Sequence, residues 1–102
     1  MIQVSDSNYL SVVDKGVVVL DFMADWCKPC KTVGEILSQA ENKYKKVLFG
    51  KVNVDTSPAL ANKYNVSSIP TVVFLLDGVP AITLHGTRCT IYNIQKILDT
   101  MQ

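Results

Sequence analysis

Val17-Val18-Val19-Leu20-Asp21-Phe22, followed closely by Trp26-Cys27-Lys28-Pro29-Cys30, decides how the rest of the chain is read. A short, almost continuous apolar run of this kind is a strand buried on both faces. Beyond it, Pro29 suits the first turn of a helix, where its missing N–H costs no hydrogen bond. Val33, Ile36, Leu37, Ala40 and Tyr44 then recur at helical spacing, with Lys31, Glu35, Gln39 and Lys43 on or near the other face. A strand therefore delivers two thiols, two residues apart, onto the mouth of a helix. In that context a Cys-x-x-Cys pair reads as a redox centre.

Working outward, Ser5-Asp6-Ser7 offers an N-cap for a short helix through Tyr9, Leu10, Val12 and Val13, stopped at Lys15-Gly16. Downstream, Val47, Phe49, Val52 and Val54 mark a second strand, and Thr56-Ser57-Pro58 caps a short helix running to Tyr64. Thr71 to Leu76 is a third strand, Asp77-Gly78 a hairpin turn, and Ala81 to Leu84 its antiparallel partner. Thr90 opens a last helix carrying Ile91, Ile94, Ile97, Leu98 and Met101. Apolar strands alternating with helices predict an α/β fold: a central sheet covered by helices on both faces, made mixed by the hairpin. No repeat, linker or low-complexity segment interrupts the chain, so residues 1–102 are expected to form one domain.

Composition narrows the function. Ten basic against nine acidic residues leave a net charge of +1, and the only basic cluster is Lys43 to Lys46, so no nucleic-acid footprint is expected. The longest apolar runs fall far short of the ~20 residues a membrane span needs, so a soluble chain is expected. The start, Met1 to Asp6, has no basic segment followed by an apolar one, which places the protein in the cytoplasm. Three cysteines are too few for a disulfide-stapled scaffold and suit a reducing compartment, where disulfides are transient and catalytic.

Thiol–disulfide exchange needs a reachable thiolate and a second thiol close enough to resolve the mixed disulfide. If the helix starts near Cys27, its unpaired N–H groups and positive dipole end favour a thiolate there, and Lys28 adds a full positive charge beside it. Pro29 pre-sets the first turn, and Cys30, one turn in, is expected to be more buried and less reactive. Cys27, Cys30, His85 and Cys89 together also supply enough ligands for tetrahedral zinc. No second C-x-x-C follows, however, and Arg88 would stand near the ion, so no metal site is assigned. Haem attachment needs a His where Lys31 stands. Asp21, a carboxylate in an apolar strand, is either solvated at a sheet edge or buried near Cys30, where its raised pKa would let it accept the Cys30 proton. Pro70, ahead of an apolar strand, either opens an edge strand or carries a cis peptide bond. Cys89 is either a semi-buried small residue or a regulatory thiol near the site.

Taken in order and at their spacings, V-V-V-L-D-F, W-C-K-P-C-K, K-V-N-V-D, S-S-I-P-T and the glycine of H-G-T-R resemble the thioredoxin family over essentially the whole chain. The resemblance implies the thioredoxin fold, β-α-β-α-β-α-β-β-α, and a protein-disulfide reductase activity. It makes Cys27 the exposed nucleophile, Cys30 the resolving thiol, Asp21 a buried aspartate and Lys51 its partner, and it makes Pro70 a cis-proline facing the disulfide. Trp26, Ile69, Pro70 and Gly86, with Lys28 and Pro29 of the motif itself, become the rim where a client's extended segment docks. No cofactor is implied. The partners implied are disulfide-containing client proteins and a thioredoxin reductase, acting on a monomer. Departures from the family pattern are Met23 in place of a Trp, Lys28 in place of Gly, and Gly34-Glu35 in place of Ala-Pro. Two further readings come from other classes: a non-catalytic thioredoxin-like scaffold, and a more oxidising disulfide oxidase or isomerase.

Overall fold

The computed structural model describes all 102 residues. Its strands are β1 (Ile2–Gln3), β2 (Val17–Met23), β3 (Leu48–Asn53), β4 (Thr71–Leu76) and β5 (Val79–His85). Its helices are α1 (Tyr9–Val13), α2 (Lys28–Lys43), α3 (Pro58–Lys63) and α4 (Ile91–Met101), with one 3-10 turn at Gly86–Arg88. The sheet order is β1-β3-β2-β4-β5, parallel from β1 through β3 to β2 and antiparallel from β2 to β4 to β5. Val17–Met23 is therefore the central strand, hydrogen-bonded on both edges.

Alternation along the strands divides the interior into two layers. Val19, Val72 and Phe74 face α2 and α4, where they meet Val33, Leu37, Ala40, Ile94 and Leu98. Val18, Leu20, Phe22, Val52 and Val73 face the other way, against Val4, Val13 of α1 and Leu60 of α3. Each large side chain buried in this way is worth roughly 1.5–3 kcal/mol. Asp21 shares the parity of Val19, so the same pleat that builds the core aims its carboxylate at α2. Gly50 of β3 lies between β1 and β2, and a Cβ there would stand 2.5 Å from Val4 Cγ2. The N-terminal segment can close over the sheet only because that side chain is absent.

Several local features follow from chemistry the residue pattern carried. Thr90 caps α4 by accepting from Asn93 N–H at 3.1 Å. Asp77 and Gly78 both take positive φ, 50° and 83°, as a two-residue hairpin turn of this hand requires. Others differ. The cap residue of α1 is Asn8 rather than Ser5-Asp6-Ser7, and its side-chain oxygen accepts from Ser5 N–H instead of from the helix. Asp6 serves another helix: its carboxylate accepts from Leu60 N–H at 2.9 Å and from Ala59 N–H at 3.3 Å, at the N-terminus of α3. Ser57, the local cap residue, makes no side-chain cap bond. A cap supplied from across the chain leaves no mark in the sequence around the helix it stabilises. The two-residue β1 is too short for its own pattern. No helix is long and apolar enough to cross a membrane.

Candidate active site

Where β2 ends, Cys27 N–H donates to the Ala24 carbonyl at 3.1 Å, which turns the chain toward α2. Cys27 is the N-cap residue of that helix, with Lys28 and Pro29 in its first turn. Its Sγ accepts from Cys30 N–H at 3.3 Å, and the two sulfurs are joined in a disulfide. A helix donor thus points at the sulfur of Cys27, whose place a thiolate would take on reduction.

Exposure does not separate the two cysteines as expected. In the disulfide form both are 4% exposed, so Cys27 is no more open than Cys30. The bonded pair packs with Ala24 into a small apolar cluster edged by Met23, Val54 and Ile69.

Beside this cluster Ile69–Pro70 is a cis peptide bond. The Pro70 carbonyl accepts from Gly86 N–H at 2.9 Å, with Gly86 at a φ of 56°, so the end of β5 is tied to the loop before β4. Thr71 Oγ1 donates to the Ser68 carbonyl at 2.7 Å and lies 3.0 Å from His85 Nδ1. Between these bonds, the N–H and C=O of Ile69 make no hydrogen bond to the rest of the chain. Trp26 is 72% exposed, and its indole N–H donates to Asp55 Oδ2 at 2.9 Å. With Val54, Val66, Ser67, Ser68 and Ile69 it lines a mostly apolar recess of about 280 Å³. Asp55 was not foreseen. It follows β3 as one of nine acidic residues, and nothing local marks it as the partner of the tryptophan.

Asp21 lies beneath α2, where a Cβ on Gly34 would stand 3.9 Å from its Oδ2. The buried alternative holds: the residue is 1% exposed, and its Oδ1 has no hydrogen-bond partner. Burial pushes its carboxyl up to about 7, while the Lys51 ammonium opposes that rise. Lys51 is the register partner of Asp21 on β3, yet no ion pair closes between them. Cys30, Gly34 and Lys51, with Met23 and Glu35 among others, line a cleft of about 650 Å³.

Cys89 is not a rim residue. It is buried, and its Sγ–H points at the Leu84 carbonyl at 3.5 Å. Burial, then the nearby Asp21 charge, push its thiol up to about 11, and its place in the core is that of a small buried residue. Nor do Cys27, Cys30, His85 and Cys89 converge as zinc ligands: two are bonded to each other, one is engaged with Thr71, and one is turned to the backbone.

Residues 1–100 match the family model described as Thioredoxin. Among curated proteins, the chain is 47% identical to a thioredoxin of Chlamydia caviae over 83% of both chains. It is 36% identical to a thioredoxin of Staphylococcus epidermidis over 97% of this chain and 95% of the other. Among solved structures it is similar to Fasciola hepatica thioredoxin, with a TM-score of 0.91 at 26% identity, and to Plasmodium falciparum thioredoxin, with 0.90 at 27%, each over the full length of both chains.

Proposed function

The chain belongs to the thioredoxin family and is a thiol–disulfide oxidoreductase, and on that premise we propose that Cys27 attacks client disulfides and Cys30 resolves the product. Membership implies disulfide-containing substrates and a thioredoxin reductase that restores the dithiol. The observation carrying the assignment of roles is the bond from Cys30 N–H to Cys27 Sγ at the start of α2. Only the N-cap sulfur receives a helix donor, so on reduction Cys27 is the thiolate and Cys30 the thiol.

In the forward reaction the Cys27 thiolate attacks one sulfur of a client disulfide, and the other client sulfur departs as a thiolate. Cys30 then loses its proton to Asp21 and attacks Cys27, forming the intramolecular disulfide and releasing the second client sulfur. Two electrons pass from the dithiol to the client. Asp21 suits the proton transfer because burial holds it near neutrality, and Lys51 keeps it from rising further. Trp26, Lys28, Pro29, Ile69, Pro70 and Gly86 form the docking rim. The unengaged N–H and C=O of Ile69 offer an extended client backbone two hydrogen bonds, whatever its side chains. We place the protein in the cytoplasm as a monomer, a single domain over residues 1–102, in keeping with its unpaired Cys89 and a disulfide that must open and close.

A redox titration of the Cys27/Cys30 couple together with a protein-disulfide reduction assay tests the reading. The expected potential lies near the roughly −270 mV known for thioredoxins; a value near −120 mV would mark a strong oxidant instead. Cys27→Ser should abolish turnover and Cys30→Ser should trap a mixed disulfide. Retention of the biological role by Cys27→Ser would point to a scaffold.

A further inference from the structure

Thr71 has one hydroxyl proton and two neighbours within hydrogen-bond range. The proton goes to the Ser68 carbonyl at 2.7 Å, so the contact of 3.0 Å with His85 Nδ1 is a hydrogen bond only if that nitrogen is the donor. The neutral imidazole is thereby fixed as the Nδ1–H tautomer, and its Nε2 carries a lone pair. His85 is exposed, and its Nε2 makes no hydrogen bond to the rest of the chain. A ring held at one nitrogen and open at the other is a fixed acceptor facing solvent.

Its place in the fold gives that acceptor a use. His85 pairs with Thr71 across the β4–β5 ladder, two residues from Ile69, and it directly precedes Gly86, whose N–H binds the Pro70 carbonyl. Ser68, at the other end of the Thr71 hydroxyl bond, lines the apolar recess beside Trp26. Around this platform Lys28 has only donors to give, and the Trp26 N–H is already bonded to Asp55. We propose that His85 is a specificity-determining residue of the docking rim, its Nε2 accepting a hydrogen bond from a hydroxyl or amide side chain of the client. The inference rests on the rim described above. A client held by its backbone on Ile69 advances about 3.3 Å per residue, so a side chain two or three positions from its bonded residue comes within reach of the imidazole. Backbone bonds to Ile69 accept any sequence. At Nε2, by contrast, an apolar client side chain strips water from the lone pair and returns nothing, whereas a donor restores the lost bond.

Two measurements test this. His85 is the only histidine, so its ring nitrogens are identified at once in nitrogen NMR of the oxidised protein, on the alkaline side of the ring's own titration. The Nδ1–H tautomer is expected there, and Thr71→Val should move the ring toward Nε2–H. Finding Nε2–H in the unaltered protein, or no movement in Thr71→Val, overturns the proposal. The second measurement compares disulfide-linked peptides identical but for one exchange of Thr for the isosteric Val, placed in turn at each position flanking the reactive cysteine. At one position the Thr peptide should be reduced with a kcat/KM about threefold higher, as fits one net hydrogen bond. His85→Asn, whose amide can still donate to Thr71 but has nothing in the place of Nε2, should bring that ratio to unity. A purely structural histidine would leave the ratio the same in the unaltered chain and in His85→Asn, and that result refutes the proposal. Should extended peptides be reduced no faster than a small dialkyl disulfide, the docking rim itself is lost, and this inference with it. Should they be reduced faster, but with Thr and Val alike at every position, the role of His85 alone is refuted.

Discussion

Replacing Asp21 by Asn should change how the stability of the oxidised protein depends on pH. The carboxyl is raised from 3.8 to about 7 by burial, with Lys51 opposing. Between those values the folded protein holds a proton that the unfolded chain has released, so stability falls as pH rises through this window and levels off above it. Roughly three pH units at 1.36 kcal/mol each amount to about 4 kcal/mol, a large fraction of a small domain's total of about 5–15 kcal/mol. Asn removes the titration but keeps the shape. Any constant effect of its amide cancels if the two proteins are compared across pH rather than at one pH. Urea unfolding of the oxidised proteins should therefore show Asn gaining on Asp by about 4 kcal/mol between pH 4 and pH 8, mostly between pH 5 and 7. A difference that stays flat across this range would mean that the carboxylate is solvated in the folded protein, and the burial argument would be wrong.

Lys28→Gly removes an exposed charge next to the Cys27 sulfur, so the Cys27 pKa should rise and the couple become more reducing. At about 0.2–1 kcal/mol for such a charge, the potential should move by no more than about 20 mV, read by equilibration with glutathione. Asp55→Ala frees the indole of Trp26, the only tryptophan. Its fluorescence anisotropy should fall, and the KM for a protein disulfide should rise about two- to fivefold, as fits loss of one exposed hydrogen bond of roughly 0.5–1 kcal/mol. Alkylation of the reduced native protein at pH 7 should label Cys27 first and leave Cys89 unlabelled, with Cys89 reacting only after denaturation. Labelling of Cys89 in the native state would contradict its burial.

The fold was largely legible because its strongest signals are periodic. The unbroken apolar run of β2, the helical spacing after Pro29 and the Asp77-Gly78 turn each have one good structural solution. Asp21 was legible as an anomaly, but only the register of β2 decided which layer it enters. What escaped were interactions joining residues distant in sequence, such as Asp6 capping α3, Asp55 holding Trp26 and Gly34 standing over Asp21. An acidic or glycine residue looks the same on paper whether it meets water or a partner from another element. Cys27 is buried to the same extent as Cys30 for a different reason: in the disulfide form its side chain packs into the cluster around Ala24, a packing that residue type and spacing do not carry.

The hydrogen bond from Gly86 to Pro70 bears on affinity as much as on shape. Two loops that would otherwise wander independently are latched into one platform before any client arrives. A guest then does not have to freeze them on arrival, so less of its contact energy is lost to immobilising the host. A small, nearly neutral surface can in this way hold an extended segment long enough for sulfur exchange and still release it afterwards.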